Sequence, residues 1–222
     1  MKNILICKIV VALAIAGGVS LSAPSALAAG SDAFNRPHLG TRWVVLSGGS
    51  LSISNHELVG TSLSLGYLKA SSNDTAASAV VVLGGTDLEY GAVALGNIGG
   101  GNNAFVKIQA QNGAGTFDHG AFYTGNNGSG TFFTLSSPVP SPAILDVFFC
   151  GTTATMRITS AAGVQTYTNN YGTTFGPGGG LGTYGSVGLD NYVGFPSGCR
   201  DAPVGGVPAS EMPRDKDLSL AK

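Results

Sequence analysis

From Tyr90 to Tyr123 apolar and polar residues largely alternate, in three runs separated by glycine and asparagine. The runs read YGAVALGN, AFVKIQAQ and TFDHGAFYT, and the breaks are Gly99–Asn103 and Asn112–Gly115. A period of two turns successive side chains to opposite faces, so this stretch predicts an antiparallel meander. The same grammar extends to both sides. Strands are expected over Arg42–Leu46, Ser50–Ser54, Glu57–Val59, Ser64–Ala70, Ala77–Leu83 and Leu88–Gly96, then Ala104–Ala110, Thr116–Thr124 and Thr131–Leu135. Four more are expected over Ala143–Cys150, Ala154–Thr159, Val164–Thr168 and Gly185–Phe195. Short strands with turns every 8 to 12 residues fit an all-β sandwich or a barrel. The 35 glycines and 10 prolines act as turn punctuation. One of these stretches, Thr173–Gly182, holds Gly176-Pro177-Gly178-Gly179-Gly180 and reads as an irregular loop.

One hairpin can be specified closely. Gly151-Thr152 lies between Ile144–Cys150 and Thr153–Thr159, and a leading glycine suits a two-residue type II′ turn. That turn pairs Cys150 with Thr153 and therefore Asp146 with Arg157. Leu145, Val147 and Phe149 then share a face with Ala154, Met156 and Ile158. A slip of one residue would turn this apolar set to water.

The ends of the chain differ from its middle. Lys2 and Lys8, the apolar run Ile9–Val19 and the small residues Ala26-Leu27-Ala28 form a secretory signal-peptide pattern, with cleavage expected after Ala28. The run is shorter than the roughly 20 apolar residues of a membrane span. The expected organisation is a signal peptide over residues 1–28, a β-sandwich over 29–202 and a flexible tail over 203–222, where Pro203, Pro208 and Pro213 alternate with charges. A secreted, periplasmic or cell-surface location follows, with no membrane span after signal removal. In that oxidising setting Cys150 and Cys199 are expected to form a disulfide. Removing Lys2 and Lys8 leaves nine bases against twelve acids, with no basic block. Nucleic acid is therefore not an expected partner.

Two sets of residues resemble a known superfamily when taken together. The first is Phe34-Asn35-Arg36-Pro37, Leu39-Gly40-x-x-Trp43, Leu51-Ser52-Ile53-x-Asn55 and Leu58-Val59-Gly60. The second is Gly185-x-x-Gly188-Leu189-Asp190-Asn191-Tyr192. This pattern resembles the secreted bacterial members of the concanavalin A-like lectin/glucanase superfamily, with the laminin-G-like jelly roll as the nearest type. The resemblance spans about Asp32 to Phe195. It implies two stacked antiparallel sheets in a jelly-roll sandwich, one of them curved, with the first and last strands adjacent. Trp43 then reads as a core anchor, and Asn35 and Arg36 as ties for the entering loop. The resemblance also implies a structural calcium in some members, with Asp190 as the matching ligand; oxygen ligands would be required.

Catalysis has weak support in these residues. Glucanases of the superfamily carry Glu-x-Asp-x-Glu or Glu-x-Asp-x-x-Glu on one strand. Here the comparable stretch is Gly85-Thr86-Asp87-Leu88-Glu89, with glycine at the first carboxylate position. Asp87 and Glu89 read as solvated carboxylates at a strand edge. Asp118 and His119 are strand neighbours, expected to point to opposite faces. A divergent glycoside hydrolase is thus the weakest of three readings. The first is a non-catalytic carbohydrate binder, with His119, Tyr123, Asn126 and Asn127 as the local candidate site and Asn102 and Asn103 in the facing loop. Tyr123 would stack on a sugar ring and the amides would bond its hydroxyls. The stretch Asn126–Gly130 also reads as a plain turn with Tyr123 half in the core. The remaining reading is a structural or cell-surface module with a protein partner. Whether Lys107 meets Asp118 or His119 across the meander stays open.

Overall fold

The computed structural model describes residues 30–46, 49–60, 63–69, 74–86, 88–111, 115–126 and 128–196. None of these is helical. Fifteen strands follow one another: β1 Gly30–Asp32, β2 Trp43–Val45, β3 Leu51–Ser54, β4 Glu57–Gly60, β5 Ser64–Leu68, β6 Ala76–Val82, β7 Glu89–Asn97 and β8 Asn102–Ala110. Then come β9 Thr116–Thr124, β10 Gly130–Pro140, β11 Ala143–Cys150, β12 Thr153–Ser160, β13 Gly163–Asn170, β14 Gly179–Tyr184 and β15 Gly188–Phe195. They form two antiparallel sheets, ordered β13-β12-β11-β6-β15-β4-β3 with β1 on β15, and β10-β9-β8-β7-β14-β5-β2. The expected all-β, two-sheet jelly-roll sandwich is the observed architecture.

The core lies between the sheets and follows the period of two. Val93 and Leu95 of β7, Val106 and Ile108 of β8, Ala79 and Val81 of β6, and Leu145 and Val147 of β11 all point into it. The hairpin register is the one its turn dictates. Asp146 pairs with Arg157 and Cys150 with Thr153, and Gly151 has φ +60°. Arg157 donates to Asp146 Oδ2 from Nε at 2.9 Å and from a terminal nitrogen at 2.8 Å.

The ends of the fold meet where the resemblance places them. β1 pairs with β15, matching Asp32 to Tyr192. Trp43 is buried, 5.6 Å from the Phe34 ring and 5.5 Å from that of Tyr192. Asp32 ties this corner together. It accepts from the Trp43 indole (2.7 Å), the Phe34 amide (2.9 Å) and both terminal nitrogens of Arg36 (2.5 and 2.6 Å). Burial pushes the Asp32 carboxyl up, but these donors outweigh it and hold the group below its ordinary value. The Arg36 tie is observed as expected; its Nε also donates to the His38 carbonyl. The motif residues that carry the resemblance thus form a structural clasp.

The structure corrects several strand expectations. The glycine-rich stretch is not wholly irregular: Gly179–Tyr184 is β14, an inner strand paired with both β7 and β5. Its glycines answer crowding rather than turning. A Cβ at Gly179 would overlap the Tyr192 hydroxyl, and one at Gly182 would lie 2.7 Å from the Phe105 ring. β1 carries too little alternation to be read from three residues. β10 runs on to Pro140 because a break in its ladder between Thr134 and Val139 hides the continuation. The last strand begins at Gly188, since Gly185 takes φ +75° in the preceding turn.

Candidate functional site

The seven-stranded sheet carries a second apolar cluster on its outer face. Residues alternate with the core set, which makes the assignment direct: β7 offers Tyr90, Ala92 and Ala94, and β8 offers Phe105, Lys107 and Gln109 outward. β9 adds Tyr123, β5 adds Leu65 and Tyr67, and Tyr184 closes the end of β14. Small residues make room for the rings. Tyr90 stacks on Tyr184 at 5.5 Å and meets Phe105 edge-on at 6.1 Å. Phe105 is fully buried, whereas Tyr184 is 40% exposed and Tyr123 is partly buried.

Lys107 sits amid these rings. It pairs with Ala92 on one side and Ala121 on the other, so neither Asp118 nor His119 is its partner. Its Nζ lies 4.0 Å from the Tyr90 ring centroid and 5.1 Å from that of Tyr123. The side chain is 6% exposed, and no carboxylate among the described residues forms an ion pair with it. Burial alone lowers its pKa from the ordinary 10.5 to about 8. Desolvating an ammonium costs several kcal/mol, and a desolvated ring face returns about 2 kcal/mol or more, only part of that cost. The Tyr90 hydroxyl beside it is also buried without a hydrogen-bond partner. Burial pushes that phenol up, as do the neighbouring tyrosines Tyr184 and Tyr123.

The candidate residues fall into two groups. Asn102, Asn103 and Asn126 come together at one end of the sheet with Tyr123. The Gly125 amide donates to the Asn103 carbonyl at 2.7 Å, and Asn126 Nδ2 donates to the Ile98 carbonyl at 3.3 Å. Asn102 is exposed, but Asn103 is fully buried and presents no amide to solvent. Beside them a cavity of about 220 Å³ is lined by Tyr67, Lys69, Asn97, Ile98 and Pro177, among others. Asn127 lies outside the described residues.

His119 stands apart. It pairs with Gln109, four residues along β9 from Tyr123, or roughly 13 Å at strand rise. Its ring stacks on Phe132 at 4.8 Å. Contrary to expectation, Asp118 and His119 do touch: Asp118 Oδ1 and His119 Nδ1 are 2.9 Å apart. Phe117 and Phe122 both reach the main core although an odd number of positions separates them. Alternation must therefore slip once between them. It slips at Asp118, which lies where the β9–β10 ladder breaks, and so joins His119. Burial raises the Asp118 carboxyl, but His119 and the Gln111 amide (2.9 Å) hold it below its ordinary value.

The other carboxylates serve the fold. Glu89 is not solvated: it is buried and accepts from the amides of Gly84, Gly85 and Thr86 at 2.9–3.2 Å. It shares strand parity with the core residues Val93 and Leu95, away from the aromatic face. Asp87 lies outside the described residues. Both oxygens of Asp190 accept bonds from Asn191, at 2.7 and 3.0 Å. Burial raises Asp190, and it raises Glu57 together with the Asp190 charge. Among the described residues no three His, Cys, Asp or Glu side chains gather as a metal site. Asp190, the calcium ligand that the resemblance implies, turns both oxygens to its neighbour Asn191. Cys199, the signal segment and the tail lie outside the described residues, and no helix among those described is long and apolar enough to cross a membrane.

Lys107, Tyr90 and Tyr184 were not among the candidates. The available signal was parity: Tyr90 and Lys107 lie on one face only if the first two runs of the meander pair as a tight hairpin.

No known family's sequence pattern matches the chain, and no curated protein does so by sequence. Solved structures do. A prokaryotic β-1,3-1,4-glucanase (lichenase) derived from a mouse hindgut metagenome matches with TM-score 0.52 at 8% identity, covering 75% of this chain and 98% of that one. A structure described as a native glycosidic hydrolase gives 0.52 at 9%, covering 76% and 95%. Lectin II from Ulex europaeus gives 0.50 at 12%, covering 74% and 96%. At such identities the likeness shows the fold alone, a two-sheet antiparallel jelly-roll sandwich.

Proposed function

We propose that the protein is a secreted, non-catalytic β-sandwich that binds carbohydrate on the outer face of its seven-stranded sheet. One observation carries this reading: Tyr90, Tyr123, Tyr184 and Lys107 share that face, with the amides of Asn102 and Asn126 at its rim. Stacking rings flanked by planar hydrogen-bonding groups suit a sugar, whose faces are apolar and whose edges are polar. The fold shared with a lectin supports it. The non-catalytic part rests on geometry. Among the described residues Asp118 is the one carboxylate on that face, while retaining hydrolysis needs two about 5–5.5 Å apart. Secretion rests on the Lys2–Ala28 pattern. A Cys150–Cys199 disulfide belongs to the same proposal.

A glycan array followed by calorimetric titration tests the reading. Binding by the intact protein, weakened at least about tenfold by Tyr123→Ala or Tyr184→Ala with the fold retained, is expected. No binding to any glycan, with the variants altering stability alone, overturns it.

A further inference from the structure

Lys107 is the side chain that the fold explains least. An ammonium brings three donors, and the contacts it makes among the described residues are the ring faces of Tyr90 and Tyr123. Arg36 and Arg157 each hold an aspartate, but Lys107 has no counter-ion among the described residues. The groups facing it from every neighbouring element are known. Tyr90 comes from β7, Tyr123 and His119 from β9, and Tyr184 from β14 behind Tyr90. Asp118 is already held by His119 and the Gln111 amide. The buried, unpartnered Tyr90 hydroxyl is a further unused donor in the same cluster. An acidic group is what this cluster lacks. It would supply a counter-charge to Lys107 and an acceptor to Tyr90, while the rings would hold the sugar that carries it.

We infer that the face selects acidic glycans, with a carboxylate or sulfate of the sugar docking on the Lys107 ammonium between Tyr90 and Tyr123. This inference rests on the carbohydrate reading above and narrows it. Sugar faces stack on Tyr123 and Tyr184, and the anionic substituent points down to Lys107. Neutral glycans leave the cation without a counter-charge and bind more weakly.

Binding of the purified protein to a polyuronate, a sulfated polysaccharide and an uncharged glucan tests this at pH 6.5 and pH 9.5. One or both acidic polymers bind at pH 6.5, and which of them does so separates carboxylate from sulfate recognition. Binding weakens at pH 9.5, where Lys107, titrating about 8, has lost its charge. Lys107→Met lowers acidic-polymer affinity at least about tenfold, the size of a lost contact to a charged group. A second variant, Lys107→Gln, gives the same loss, and both melt no lower than the parent. Equal binding of the uncharged glucan, or acidic binding indifferent to both variants and to pH, overturns the inference and leaves the carbohydrate reading standing. Failure of all three polymers and of the glycan array overturns both.

Discussion

The two outer faces of the sandwich each hold a largely buried cation, and they treat it in opposite ways. On the eight-stranded sheet Arg157 meets Asp146 directly across the β11–β12 hairpin, through two nitrogens. Its charge is cancelled inside the fold, and the pair also pins the register. On the seven-stranded sheet Lys107 meets rings and, among the described residues, no carboxylate. A cation with a built-in partner belongs to the scaffold. A cation held without one costs the fold stability, which suits the docking role proposed for Lys107.

Perturbing each side should separate the two cases. The largest effect is expected from Asp146→Ala, which strands the Arg157 charge. Since Arg157 is about a fifth exposed, a loss of about 3 kcal/mol is expected, at the lower end for a broken buried pair. Urea denaturation reads it, and a loss below about 0.5 kcal/mol would make that pair a surface ornament. Next, Gly182→Ala drives a methyl against the Phe105 ring and should cost about 2 kcal/mol by the same assay. An unchanged midpoint would mean that the aromatic face is loosely packed. Third, Lys107→Met keeps the stem and removes the charge. It should stabilise the protein by about 1 kcal/mol, and a comparable loss would show that the ring contacts outweigh desolvation.

The last perturbation is a pH slope. Lys107 has a folded pKa of about 8, below its ordinary 10.5, so between these values the unfolded chain binds more protons. Stability therefore rises with pH above about 8. Above the ordinary phenol value of 10.0 the buried Tyr90 and the half-buried Tyr171, both pushed up by burial, reverse the trend. Thermal melts from pH 7.5 to pH 9.5 should climb, and Lys107→Met should flatten the climb. A flat profile in the parent would show that the ammonium is well solvated.

What could be read in advance was what nearby residues dictate. The Gly151-Thr152 turn set the Asp146–Arg157 register, and the Phe34-to-Trp43 and Asp190-to-Tyr192 patterns brought the terminal strands together. What stayed hidden depends on distant neighbours. β14 looks like a loop because its glycines yield space to Tyr192, Phe105 and Ile98, and that crowding is not written in the stretch itself. The Asp118–His119 contact depends on a ladder break made by another strand. Of the candidate site, Tyr123 and the Asn102–Asn126 rim were proposed from turn chemistry. Lys107 was not, because a lysine amid alternating residues reads as solvent-facing until the strands beside it supply rings instead of water.

The pairing of β1 with β15 also bears on how the molecule is born. Its first strand has no final neighbour until nearly the whole described domain has been synthesised, and β6 likewise waits for β15. Closure of the eight-stranded sheet is therefore a late, long-range step, and a nascent chain leaving the ribosome stays unlocked at that seam.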